Sequence, residues 1–371
     1  MTCIAIVCGA GIMSGKEVIA LELGQGLRDG GTDVHFLTSR WGSGEFGRRT
    51  EAVGFQTNRL WLGFISATLR IDCIWMTVVQ FWRWPSLLGA YRRFLWSVKP
   101  AKVIQTNWHH ALLLWPLLKA EREVYWLHEV IPNTTRYRRI FGILNNRIGS
   151  FVAVSQAAGT SLIKLGVPEK KVRVIYNGIS DPSLEHPQAH ENSQTIGIVG
   201  QVGPWKGHGD LIDAFRKVVR EYPEAQLCIF GKGSAAYESS LRKRVADFAL
   251  EGKVVWRGFV ADRNAIYGEL SLLVVPSRSE DPLPTTAIEA AFFGIPVIAS
   301  RRGGLVEIVE DGVTGFLFEA GKFDELARHV VSLLGSTELR TRMGRNARKR
   351  AMTQFSRDRF VRQFCEILEL K

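Results

Sequence analysis

No stretch of this chain stays apolar for the roughly 18–20 residues that a membrane-spanning helix requires. The longest candidates, "IDCIWMTVVQFW" and "ALLLWPLL", are short and flanked by charge, so a soluble or peripheral protein is expected. Cysteine is scarce and unpatterned. Cys3, Cys8, Cys73, Cys228 and Cys365 form no C-x-x-C pair and are odd in number, which favours free thiols in a reducing, cytoplasmic compartment over a disulfide framework or a cysteine-held metal. Residues 1–8 do not read as a secretory leader, because no basic segment precedes them and a glycine loop stands where a cleavage site would be. That loop, "CGAGIMSGKE", also lacks what two phosphate-binding templates demand. Against a P-loop it has Ala10 for the first glycine and Glu17 for the hydroxyl. Against G-x-G-x-x-G it has Gly9 and Gly11, but Ser14 in the sixth position, with Gly15 one residue late.

What is present divides into two halves. At 371 residues the chain suggests about two domains. Residues 1–180 hold 22 Lys/Arg against 11 Asp/Glu and nine of the eleven tryptophans; residues 181–371 hold 26 basic against 25 acidic residues. A basic, aromatic half joined to a neutral one points to different partners. The first half opens with "CIAIVCG", a continuous apolar run typical of a strand buried on both faces. The glycine loop follows, then the helix pattern of "KEVIALELGQGLRDGG" and the strand "DVHFLTS". This is the start of a doubly wound parallel sheet. Further strands are expected at "AKVIQTN", "VYWLHE", "FVAVS" and "VRVIYNG".

The pattern then restarts. Residues 181–193, polar and proline-containing, read as a linker between a domain over 1–180 and a second over 194–352. In the second, "TIGIVGQVGPWKG" is a strand and glycine loop, "HGDLIDAFRKVVREYP" an amphipathic helix, and "AQLCIFGKGS" another strand and glycine turn. The segments "KVVWRGFV", "SLLVVPS" and "IPVIAS" supply three more strands. The last residues, 353–371, space Phe355, Phe360, Phe364 and Ile367 as one helical stripe that must pack on something.

Candidate chemistry is concentrated in the second half. Gly200, Gly203 and Gly207 surround Lys206 between a strand and a helix. Glycines let backbone N–H groups approach an anion, the helix start adds a favourable dipole, and the ammonium adds a full charge. A surface lysine in a turn is the plainer alternative. In "PSRSEDPLPTTAIEAAFFGIPVIAS", Asp281 stands near a helix start and Glu289 about two turns into it, between Ile288 and Ala290. A carboxylate in so apolar a stretch must have a specific partner, and ribose hydroxyls are suitable donors.

These segments in this order, with "WRGFV" and "GGLVEIVEDGVTGFLFEAG", resemble the C-terminal domain of family 4 glycosyltransferases. "VAVSQAAGTSLIKLGVPEKKVRVIYNGI" resembles the segment that closes their N-terminal domain. The resemblance is good over about residues 121–335 and weak over about 40–120. It implies a GT-B fold: two Rossmann-like domains facing across a cleft, with the C-terminal helix crossing back to the first. It further implies a retaining transfer from a nucleotide-sugar donor, without a metal or other cofactor, to a glycan, lipid-linked or small-molecule acceptor, in cell-surface polysaccharide or glycolipid synthesis.

Residue by residue, the resemblance implies that Lys206 contacts the donor diphosphate, Glu289 the ribose, Asp281 the donor sugar, and His128 of "WLHE" the transferred sugar. Three departures bear on this. The family usually has arginine where Gln201 stands, so Arg278 or Lys16 would have to supply a second cation. An extra residue before Asp281 leaves Glu280 as a second candidate, although the eight-residue spacing to Glu289 favours Asp281. Pro284 replaces a common glycine and has no N–H, which leaves Leu283 and Thr285 as the backbone donors. Gly11, Gly15 and Lys16 of the first loop are expected to face the cleft, near the diphosphate or the acceptor.

The stretch "RLWLGFISATLRIDCIWMTVVQFWRWPSLLGAYRRFLWSVKP" mixes five tryptophans with Arg59, Arg70, Arg83, Arg92 and Arg93. It reads either as a surface for an anionic membrane, on the inner face of the plasma membrane, or as a large-residue core with a solvated basic face. A sugar-nucleotide epimerase or phosphorylase could share the architecture but explains Lys206 and the acid pair less well. A nucleic-acid-binding protein would account for the basic half, yet no recognition motif is present, and no nucleic-acid partner is expected.

Overall fold

The computed structural model describes residues 2–9, 15–64, 71–183 and 193–370, with the side chains of residues 71–73 excepted. Gly11 and most of the expected linker, residues 184–192, lie outside the described residues. The chain forms two compact units, one of Met1–Gly178 with Arg357–Lys371, the other of Ile179–Ser356.

The first unit contains seven strands: β1 (Cys3–Val7), β2 (Asp33–Ser39), β3 (Gln56–Leu60), β4 (Lys102–Gln105), β5 (Glu123–Leu127), β6 (Ser150–Ala153) and β7 (Val172–Val174). They pair in the order β3-β2-β1-β4-β5-β6-β7, all parallel. Apolar runs such as Ile4–Val7 and Val124–Leu127 are buried on both faces, as a parallel sheet covered by helices on each side requires. Strand β3 has no such run. Its sequence QTNRL is half-buried and lies at the sheet edge, where only one side of the ladder needs a partner.

The second unit repeats the winding with β8 (Thr195–Val199), β9 (Gln226–Phe230), β10 (Val254–Gly258), β11 (Leu272–Val275), β12 (Val297–Ser300) and β13 (Gly315–Phe318), in the order β10-β9-β8-β11-β12-β13. Its core gathers Ile196, Ile198, Leu211, Phe215, Leu227, Leu272, Val274 and Ile298. The helix His208–Glu221 buries Leu211, Ile212, Phe215 and Val218 against this sheet, at the three- and four-residue spacing read from the sequence.

The C-terminal helix belongs to the first unit but is shorter than the apolar stripe suggested. It spans Arg357–Leu368, starting four residues after 353. Phe360 and Phe364 pack on Trp126, with ring centroids 5.7 and 4.9 Å away. Val361 fits so closely over Gly26, in the helix Gly15–Asp29, that a Cβ on that glycine would collide with it. Phe355 falls on the other side of the division. It closes the preceding helix, Thr337–Gln354, and its carbonyl accepts from the Ile179 N–H at 3.0 Å within the second unit. The stripe is therefore two anchors for two units, not one face of one helix.

Candidate active site

In a doubly wound sheet, loops diverge where the strand order reverses, and ligand sites form at the carboxyl ends of the strands flanking that point. The reversal in the second unit lies between β8 and β11. Both loops leaving these strands carry expected site residues. After β8 the chain runs through Gly200, at φ 141°, past the exposed Gln201 to Gly203, the 3-10 turn Pro204–Lys206 and Gly207, at φ 74°. Gly207 is required twice over, by its left-handed backbone and because a Cβ would collide with the Pro276 carbonyl. The loop is pinned by Gly200 N–H to Phe230 O at 3.0 Å and Val202 N–H to Lys232 O at 3.0 Å.

The two loops meet at Lys206. Its ammonium forms an ion pair with Asp281, and the side chains are 27% and 12% exposed. Asp281 is further held by the Ser277 hydroxyl at 3.3 Å, while the Asp281 carbonyl accepts from the Gly304 N–H at 2.8 Å. Glu280 turns elsewhere, accepting from the Gly303 N–H at 2.7 Å and from Arg302 at 3.3 Å, and it is exposed. Leu283 and Pro284 are buried, and Thr285 opens the helix Thr285–Phe292. The first N–H groups of a helix have no acceptor within it, so two helix starts, at His208 and Thr285, lie on the loops that carry Lys206 and Asp281.

Glu289 is 9% exposed and its partners are within the protein. One carboxylate oxygen accepts from the Tyr267 hydroxyl at 2.8 Å; the other lies 3.2 Å from Arg263 Nε. Burial and the adjacent Glu289 charge push the Tyr267 phenol well above its ordinary pKa, so it stays a donor. The partner that an apolar neighbourhood demanded is therefore supplied by the fold, and the carboxylate is held in one orientation. Arg278 is also engaged: its guanidinium forks onto Asp210 at 2.7 and 2.5 Å. His208, at the start of its helix, is buried, and burial pushes its pKa down to about 4.

The first unit has its own cluster where the order reverses between β1 and β4. Gly15 is exposed at the first position of its helix. The Lys16 ammonium lies 3.6 Å from the Glu17 carboxylate, and Glu17 is buried. Two histidines are close enough to Lys16 to feel its charge. His128 follows β5, with its ring 4.2 Å from Trp126 and its Nε2 buried without a partner among the described residues. Burial, then Lys16, hold its pKa well below the ordinary value. His110, in the helix Trp108–Leu114, is fully buried, and burial, Lys16 and His109 push it down to about 3. Both imidazoles are neutral at pH 7.

Sequence reasoning brought Lys206 and Asp281 into one neighbourhood and placed Glu289 on the right helix. It missed Tyr267, Arg263, Asp210 and His110. Arg263 and Tyr267 are four residues apart, one helical turn, which is a signal of a shared face but not of its target, Glu289. His110 sits in "WHHALLLW", where an apolar surrounding hints at burial and nothing hints at Lys16.

Two family models match the chain consecutively: "Glycosyltransferase Family 4" over residues 13–181 and "Glycosyl transferases group 1" over residues 182–350. The chain belongs to the family 4 glycosyltransferases, with the GT-B class of fold. Among curated relatives, it is 31% identical over 162 residues to the capsular polysaccharide biosynthesis glycosyltransferase CapM of Staphylococcus aureus, covering 43% of this chain and 42% of that one. It is 27% identical over 233 residues to the N-acetyl-alpha-D-glucosaminyl L-malate synthase of Bacillus anthracis, covering 60% of each. The match thus spans less than two thirds of the length of these relatives. Among solved structures, Anabaena HepE in complex with UDP superposes over 100% of both chains with a TM-score of 0.82 at 22% identity, a likeness of fold. Among the described residues no helix is long and apolar enough to cross a membrane.

Proposed function

We propose that this glycosyltransferase moves a hexose from a nucleotide-sugar donor to a growing glycan or lipid-linked acceptor in cell-surface polysaccharide synthesis, with retention of anomeric configuration. The observation that carries the reading is Lys206. A cation on a glycine loop, next to Asp281 and flanked by two helix starts, suits a diphosphate leaving group. Glycosyl transfer builds negative charge on that group as the sugar becomes oxocarbenium-like. A fixed ammonium and helix N–H groups would stabilise the charge without a divalent ion.

The other residues fall into roles consistent with this. Glu289, oriented by Tyr267 and Arg263, is assigned to the ribose hydroxyls. Asp281 is assigned to the donor sugar, and Leu283 and Thr285 to backbone contacts with phosphate. Lys16 and the neutral His128 are assigned to the acceptor and the transferred sugar. A neutral imidazole can donate to a sugar hydroxyl from one nitrogen without adding charge. The HepE structures are described with UDP and UDP-glucose, and CapM acts in capsular polysaccharide biosynthesis; both favour a UDP-sugar donor and a polysaccharide product here.

The test is a screen of UDP-, GDP- and ADP-sugars for thermal stabilisation and slow hydrolysis. A UDP-sugar is expected to raise Tm and to be hydrolysed, and Lys206→Ala and Glu289→Ala are each expected to lower turnover by about 10³-fold with the unliganded Tm within a few degrees of wild type. Near-normal turnover in either variant would overturn the site assignment.

A further inference from the structure

Over its described side chains, 74–82, the helix Ile71–Trp82 is built inside out. Its buried contact is polar: Gln80 is 1% exposed, accepts from Trp41 Nε1 at 3.1 Å and donates to the Trp61 carbonyl at 2.9 Å. Its outward residues are Ile74, Trp75, Val78, Phe81 and Trp82, a set spaced for one helical face. Trp75 is 67% and Trp82 87% exposed. In the next helix, Trp84–Val98, Leu87, Tyr91 and Phe94 are buried in the usual sense, but Trp96 is 78% exposed beside Arg92 and Arg93, four and three residues before it.

Surface helices ordinarily turn the apolar stripe inward. Exposed apolar residues need no explanation singly but do when contiguous. Five of the thirteen large apolar residues exposed among the described residues lie on this one helical face, with Trp96 on the next helix, so this is a patch and not scatter. Its charge has one sign. Between 71 and 101 the chain carries Arg83, Arg92, Arg93 and Lys99 against Asp72 alone.

We infer that this face docks on an anionic lipid bilayer. Tryptophan and phenylalanine side chains suit the boundary between headgroups and acyl chains, and exposed arginines suit lipid phosphates. A second copy fits less well, because a two-fold contact through the patch would bring together two surfaces of the same positive sign. The inference borrows from the proposed lipid-linked acceptor only its purpose. Binding to the bilayer does not require transfer.

The experiment is flotation of the full chain with vesicles of phosphatidylcholine alone or with about 30 mol% phosphatidylglycerol, alongside hydrolysis of the donor in solution. The expected binding is about 10-fold or more stronger to the anionic vesicles. Trp75→Ser with Trp82→Ser should lower it about 10-fold, and Arg92→Gln with Arg93→Gln should remove roughly 5-fold per arginine. Donor hydrolysis should be unchanged in both. Equal binding to neutral and anionic vesicles, or undiminished binding by the tryptophan variant, overturns the inference. So does a concentration-dependent dimer that the tryptophan variant dissolves while wild-type vesicle binding is absent. If vesicle binding behaves as expected and no nucleotide-sugar is bound, the transferase reading fails and the docking surface stands.

Discussion

In each unit the sequence between the first strand and the following helix is rich in glycine, with a lysine close to its end. In the second unit the loop after β8 delivers Lys206 to Asp281, with both side chains part-exposed. In the first, Lys16, in the first turn of the helix after β1, is 17% exposed, 3.6 Å from Glu17, and close enough to His110 and His128 for its charge to lower their pKa values. One lysine is ion-paired to a part-exposed aspartate beside two helix starts; the other lies near buried, neutral imidazoles. The same topology therefore gives the two lysines chemically different surroundings. The difference lies in a few loop residues and not in the sheets.

That contrast can be broken most sharply at the lysines. Lys206→Ala is expected to reduce kcat by about 10³-fold, as loss of one preorganised contact to a developing anion does. Lys16→Ala should cost on the order of 10-fold, the scale of an electrostatic aid rather than a direct ligand. Steady-state kinetics on the two variants measure both, and comparable losses would erase the distinction between the loops.

Backbone demands differ as well. Gly207→Ala meets both a left-handed φ of 74° and the Pro276 carbonyl, and should destabilise the second unit by roughly 3 kcal/mol. Gly26→Ala in the first unit meets only the Val361 side chain, in an ordinary helical backbone. Its overpacking is partly offset by alanine's better helix propensity, leaving roughly 1 kcal/mol. Denaturant unfolding of both variants ranks them.

Acid response separates the units more finely. His208 and His110 have folded pKa values of about 4 and about 3, below the ordinary 6.5. Between these limits the unfolded chain binds more protons, so stability falls as pH falls through the unfolded value. From pH 7 to pH 5 each such histidine removes about 2 kcal/mol. In the first unit Glu123 works oppositely. Burial raises it to about 7, and the stability contributed by its protonated form is present below about 4.5 and lost as pH rises through 7. In the first unit His128, also held well below its ordinary pKa, adds to the loss that Glu123 opposes, whereas in the second the loss comes largely from His208, and His208→Gln should flatten it. An unchanged slope in that variant would show that His208 is not the group responsible.

Much of this was legible before the structure. Strands buried on both faces read as continuous apolar runs, and "DVHFLTS" is β2 residue for residue. The edge strand β3, QTNRL, left no such mark, because an edge strand needs fewer apolar contacts; β13, the short apolar GFLF, was not singled out as a strand. Among site residues, the glycine–lysine loop and the acid eight residues before Glu289 were readable because local backbone geometry restricts what can stand there. Arg278 was expected as a spare cation for phosphate, but its fork is closed on Asp210, 68 residues away, a distance no local pattern spans. Phe355 was grouped with Phe360 and Phe364 by spacing, yet the chain changes units between them.

By itself, then, the sequence determined the winding of both sheets and the two glycine-rich stretches with their lysines, which follow from periodicity and backbone restriction within about 30 residues, while the family was legible only from the resemblance of its motifs. Only the tertiary structure decided which carboxylate meets Lys206, what holds Glu289, and which face of the helix Ile71–Trp82 points outward. Those outcomes depend on side chains far apart in the chain competing for the same few buried polar positions. Gln80 took one of them, and that left the tryptophans of its helix exposed.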